Sequence, residues 1–167
     1  MLLSIEPAID QEIDIQPGVP INLPIQIRPA EQQDYAFILA SWSNDAHKIK
    51  YDSFIPNSIF FPRQKSFINK ILSNSIINIA HVEGDRDLIC GYLVIEPKFQ
   101  MNTLLIHWAH TKPIYRRQGV YKALLNNYIG LEDPITVVTS PFTLLPEFKS
   151  KYNVIYDPTH VDHLRAQ

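Results

Sequence analysis

The sequence is poor in cysteine, in net charge and in glycine, and each shortage excludes something. Cys90 is the only cysteine among 167 residues, so no internal disulfide can form, and a reducing compartment suits the chain. Fifteen basic residues against seventeen acidic ones leave a net charge of −2. That balance offers no global field to attract nucleic acid or an anionic membrane. No apolar run approaches transmembrane length, and the start lacks the basic segment of a signal peptide, so a cytoplasmic protein is expected. Five glycines stand against thirteen prolines, and Pro17, Gly18, Pro20 and Pro24 crowd into one stretch. Proline cannot donate to a strand ladder, which rules out a central strand before about Ile25.

What remains is a one-domain length of chain, 46% apolar, enough to bury a core. Residues 1–24 read as an extended arm. From Ile13 to Ile27 the odd positions are apolar or proline (Ile13, Ile15, Val19, Ile21, Leu23, Ile25) while the even ones are mostly polar or proline. Period-two alternation of this kind gives an extended chain one apolar face. Water is a poor final environment for that face, so the arm is expected to lie on a protein partner or a neighbouring subunit.

From residue 25 to 156 the pattern predicts a folded domain, with 157–167 as a tail. A strand is expected at Ile25–Arg28. Tyr35, Ile38, Leu39 and Trp42 recur at helical spacing and predict a helix over Glu31–Ser43. An irregular stretch over Asn44–Asn57 follows, then a helix opened by Pro62 with Phe67, Ile68, Ile71 and Leu72 on its buried face. β-Branched runs at Ile76–Val82 and Leu88–Glu96 flank a hairpin over residues 83–87. Thr103–His110 reads as the next strand and Val120–Ile129 as a helix. A short strand at Ile135–Thr139, a helix at Phe142–Lys151 and a last strand at Val154–Tyr156 complete the order. Antiparallel strands that switch to a parallel crossover make an α/β fold of the α+β, mixed-sheet kind.

The densest signal is Pro113-Ile114-Tyr115-Arg116-Arg117-Gln118-Gly119-Val120-Tyr121-Lys122. A strand, a basic turn with one glycine and then a helix offers free backbone N–H groups and a positive dipole end to an anion. The spacing Arg116-x-x-Gly119 resembles the acyl-CoA pyrophosphate turn of the GNAT superfamily of N-acetyltransferases, usually Gln/Arg-x-x-Gly-x-Gly/Ala. Tyr121 departs from it, standing where that family has Gly or Ala. The order of elements over residues 25–156 is similar to the GNAT fold. Ile27-Arg28-Pro29-Ala30, Asp34 to Trp42 and Ile106 to Lys112 also resemble stretches of GNAT-like proteins encoded by tailed bacteriophages, which implies host cytoplasm or a virion as the location.

The resemblance implies roles. The strand before the turn parts from its neighbour in this superfamily, so Ala109, His110 and Thr111 would face the pantetheine of acetyl-CoA. Arg116, Arg117, Gln118, Gly119 and Val120 would hold the pyrophosphate. Tyr121 either gives its hydroxyl to a phosphate or, as a core aromatic, fills space the cofactor needs; the second reading predicts weak or absent acetyl-CoA binding. The glutamate that many members carry before the turn is replaced by Leu105, which leaves His107 as the expected base, its imidazole suited to proton transfer near neutrality. Phe148 stands where many members have an acidic tyrosine, and Tyr152 or Tyr156 would substitute. His107 and His110, three apart on a strand, are expected on opposite faces, so no shared metal is expected. His160 and His163 read as part of a solvated tail. Two functions follow: a GNAT-fold protein without catalysis, used as an interaction or phage structural component, or an active N-acetyltransferase acting on an amine.

Overall fold

The structure is a computed structural model that describes residues 24–48, 55–127, 135–140 and 154–157. Residues 1–23 of the arm, the helix expected at Phe142–Lys151, Tyr152 and residues 158–167 of the tail lie outside the described residues. The helix expected over Val120–Ile129 ends at Asn126, capped by Asn127, with residues 128–129 not described.

Six strands form one sheet in the order β1-β2-β3-β4-β5-β6. They are β1 (Ile25–Pro29), β2 (Ile76–Val82), β3 (Asp85–Lys98), β4 (Thr103–Thr111), β5 (Ile135–Val138) and β6 (Val154–Tyr156). Pairing is antiparallel from β1 through β4. It turns parallel between β4 and β5 and again between β5 and β6. The mixed sheet with its switch at β4 is the plan that the GNAT resemblance implies. β3 starts three residues before the Leu88 expected from sequence, because Glu83 and Gly84 alone make the turn and Val82 pairs with Asp85. The Asp85 carboxylate accepts the N–H groups of Asp87 and Leu88 at 3.0 and 3.1 Å.

Both helices on the first face differ in extent from the sequence reading. Helix α1 covers Asp34–Lys48, starting later and running a turn further than Glu31–Ser43. Its start is fixed by Asp34, whose carboxylate accepts the Glu31 N–H at 2.7 Å and two bonds from Arg28 at 2.6 and 3.0 Å. Its last turn carries His47 and Lys48, and the lysine's positive charge suits a helix C-terminus. Helix α2 covers Asn57–Leu72, so Pro62 lies inside the helix and does not open it. Pro56 holds the start instead, its carbonyl accepting the N–H groups of Ile59 and Phe60 at 2.9 Å each. His47 ties the two helices together, bonded to Asn57 at 2.9 Å and packed on the rings of Phe60 and Phe61. Pro62 forgoes the helical bond its N–H would have made to Ser58.

The sheet divides two apolar clusters. On one face Ile38 and Trp42 of α1 and Ile68, Ile71 and Leu72 of α2 pack on Ile77, Ile79, Tyr92, Val94 and Trp108. On the other, helix α3 (Val120–Asn126) sets Val120 and Leu124 against Cys90, Leu93, Ile95, Leu104 and Ile106. Each buried side chain of this size contributes about 1.5–3 kcal/mol before entropy is counted. No helix among the described residues is long and apolar enough to cross a membrane.

Candidate functional site

The register of β3 on β4 slips by one residue between Val94↔Trp108 and Ile95↔Ile106, which leaves His107 as an extra residue in β4. A bulge of this kind breaks the two-residue alternation and re-aims side chains. Ile106 packs with the α3 cluster and Trp108 with the α1 cluster. His107 meets Glu96, which follows Tyr92 and Val94 on the α1 face of β3, and His110 stacks on Tyr92 at 5.3 Å between ring centroids. Both histidines therefore serve the same face, correcting the expectation of opposite faces.

The His107 side chain has 0% exposure and both ring nitrogens are engaged. Nε2 lies 3.2 Å from Glu96 Oε2 and Nδ1 3.1 Å from Thr139 Oγ1. The bond from His107, joined by one from Lys98, holds the Glu96 carboxyl below the usual carboxylate range against the opposing effect of burial. An ionised carboxylate only accepts, so Nε2 carries the proton it donates to Glu96. In a neutral ring Nδ1 is then the lone-pair nitrogen, placed to accept the Thr139 hydroxyl. The strand before the turn indeed holds no carboxylate, and the neighbouring strand provides one: Glu96 pairs across from Leu105. In the sequence Glu96, like Glu83, is a strand-flanking carboxylate that could face the cleft and that nothing singles out; only the β3–β4 register brings it to His107.

A second pair lies further along β4. His110 Nδ1 donates to Asp45 Oδ2 at 2.7 Å, linking the strand to the last turn of α1. Burial pushes the His110 imidazole down despite the opposing pull of Asp45. Phe37 meets the His110 ring edge-on at 5.9 Å, and Lys112 Nζ sits 5.0 Å above the Phe37 ring. The rings of Trp42 and Trp108 stack 5.1 Å apart in the cluster on this face.

Pairing of β4 with β5 stops at Ile106↔Val138, and the Thr139 N–H closes it by bonding the Ile106 carbonyl at 3.1 Å. From Trp108 to Thr111, among the described residues, β4 is paired on its β3 side alone. The backbone of Ala109, His110 and Thr111 thus runs along an open edge that leads to the basic turn. Tyr115 is buried there, while Arg116, Arg117 and Gly119 are exposed. Arg117 at φ 65° and Gly119 at φ 78° are both left-handed. For an arginine that conformation costs about 1–2 kcal/mol, a strain that tends to persist at functional turns. Gly119 caps α3, and Val120 is buried beneath it. Close packing holds the turn in place: a Cβ on Gly91 would lie 2.4 Å from the His110 carbonyl oxygen and 3.1 Å from Val120.

These residues fit an acyl-CoA. The open edge presents backbone groups to an amide chain, and the exposed arginines offer charge to a pyrophosphate. Tyr121 is the exception to that fit: it is half-buried against the α3 cluster, and a side chain larger than Gly or Ala at that position predicts weak acetyl-CoA binding. Gln118 folds back, donating to the Ile114 carbonyl at 3.3 Å. The structure thus brings His107, Ala109, His110 and Thr111 onto one strand and Arg116 to Tyr121 at its end. Tyr152 and Phe148 lie outside the described residues.

No family model and no curated protein matches the chain. Solved structures do. A possible acetyltransferase from Clostridium difficile 630 is 20% identical, covering 62% of this chain and 67% of its own, with a TM-score of 0.43. A predicted acetyltransferase from Clostridium acetobutylicum, solved with acetyl-CoA, is 16% identical over 80% of each chain, with a TM-score of 0.43. Ribosomal-protein-alanine N-acetyltransferase from Brucella melitensis biovar Abortus 2308 is 12% identical, covering 86% of this chain and 89% of its own, again at 0.43. Likenesses this distant carry no argument about activity, which has to come from the site itself.

Proposed function

We propose that the protein is a GNAT-type N-acyltransferase that moves an acyl group, acetyl in the simplest case, from acyl-CoA to an amine. The reading is carried by the Glu96–His107 pair, set where β4 parts from β5 on the strand that runs into the arginine turn. Acyl-CoA supplies an activated acyl carbonyl. Ala109, His110 and Thr111 would lie along its pantetheine, and Arg116, Arg117, Gln118, Gly119 and Val120 around its pyrophosphate. The arginines would neutralise the phosphates, and Glu96 would orient His107 as the sink for the proton that the amine sheds.

Acetyl transfer to a panel of primary amines, followed by release of free thiol, tests this. His107→Ala should lower the rate by about 10²–10⁴, the usual share of a general base. Undiminished transfer in that variant would remove His107 from the reaction. A second reading, a non-enzymatic GNAT-fold protein serving as an interaction or phage structural component, draws support from the full burial of His107 and from the apolar alternation of the arm. It expects no turnover with any amine.

A further inference from the structure

The imidazole that would take the acceptor's proton has no exposed atom of its own side chain, so an amine cannot reach it directly. Its Nε2 is committed to Glu96, and Glu96 leads away from the open strand edge, through its bond to Lys98, toward the β3–β4 connection. Its Nδ1 faces Thr139 Oγ1 at 3.1 Å. Thr139 stands just past the last residue of β5, its N–H anchored on the Ile106 carbonyl where the two strands separate. It is only partly buried. Carboxylate, imidazole and hydroxyl thus form one hydrogen-bonded chain, with the buried imidazole at its centre and Thr139 where β4 and β5 separate.

We propose that Thr139, a residue no comparison assigns, is the group of this chain that meets the acceptor amine, and that its hydroxyl relays the amine's proton to His107. The inference rests on the acyltransferase reading above and adds to it the residue in contact with the acceptor. As the amine nitrogen bonds the acyl carbon, its proton passes to Thr139 Oγ1 while the Thr139 proton passes to His107 Nδ1. The carbon–sulfur bond of the thioester breaks, and the thiolate leaves to take a proton from water. His107 later returns its proton to solvent by the same hydroxyl. Glu96 touches no substrate; it is a positioning residue that fixes the tautomer with Nδ1 free to accept. The relay demands a hydroxyl at position 139 and tolerates loss of the methyl group.

Three measurements on the full chain decide it. Nitrogen-15 NMR of the unliganded protein at neutral pH should show His107 with Nε2 protonated and Nδ1 bare; the opposite tautomer overturns the relay without any assay. Thr139→Ser should keep acetyl-transfer kcat within a few-fold of wild type, and Thr139→Val should lose about 10²–10⁴ with unchanged affinity for acetyl-CoA by calorimetry. Near-wild-type kcat in Thr139→Val overturns the relay while leaving the acyltransferase reading intact. Wild-type protein that neither binds acetyl-CoA nor transfers its acetyl group overturns both. Quenched turnover mixtures examined by mass spectrometry should carry no acetyl group on Thr139, since an acetyl ester there would make it a nucleophile and contradict the relay.

Discussion

Charged and reactive side chains in the interior persist here because each has a specific partner or is held in its neutral form. Arg28 and Asp34 are 5% and 3% exposed and meet through two bonds across the start of α1. Removing either would strand the other, at a cost of about 3–5 kcal/mol. The bond from Arg28 holds the Asp34 carboxyl below its usual range, so the native state binds fewer protons there than the unfolded chain. That stabilisation is complete above the ordinary carboxylate range and is lost as pH falls toward the depressed native value. Urea midpoints of wild type and Asp34→Asn should therefore differ most at neutral pH and converge in acid; a constant gap would break the link. Cys90 shows the other strategy. Burial pushes its thiol up to about 11, so at pH 8 the native protein should resist maleimide while the denatured chain reacts at once. Rapid native labelling would mean that the α3 cluster opens easily.

At the scale of elements, what the sequence discloses depends on how local the cause is. β2 is predicted to the residue, since its β-branched run is bounded by its own turns, and β4 is predicted from its start. The start of α2 was hidden because Pro62 imitates a helix opening. The real anchor is Pro56 together with His47 of the preceding helix, a contact between elements. The bulge at His107 was equally hidden: alternation assumes an unbroken register, and one extra residue turns the face of everything after it. Two glycines test this region. At Gly119 nothing lies within 4 Å of an added Cβ, so Gly119→Ala should cost only the left-handed φ, about 1–2 kcal/mol. At Gly91 the added carbon would strike the backbone carbonyl of His110. Gly91→Ala should therefore cost as much or more, roughly 1–3 kcal/mol as overpacking does, and should also disturb the Asp45–His110 pair. Equal unfolding midpoints for Gly91→Ala and wild type would show that β3 and β4 are not held as closely as the structure has them.

For the whole molecule, the order of strands and the switch from antiparallel to parallel pairing were legible from the succession of patterns, because a parallel neighbour requires a crossover and Val120–Asn126 supplies a helix for it. The candidate site was legible only in its linear parts. The arginine turn and His107 lie on one stretch of chain, whereas Glu96, Thr139 and Asp45 reach them through the fold. The arm is a separate question: β1 begins at Ile25, and Pro24 closes its ladder by accepting the Glu83 N–H at 2.8 Å. A chain lacking residues 1–23 should keep its melting temperature within a few degrees while losing any assembly that the arm mediates. Unfolding of that truncation would make the arm an intramolecular brace.

The claim on which the account turns is that the open end of β4 and the turn after it hold an acyl-CoA. Calorimetric titration of acetyl-CoA into wild type and Arg116→Glu addresses it most directly. Weak but saturable binding at one site per chain is expected, reduced about tenfold or more by the charge reversal, since a hydrogen bond to a charged group contributes about 1.5–3 kcal/mol. No binding in wild type, or equal binding in both proteins, would contradict it.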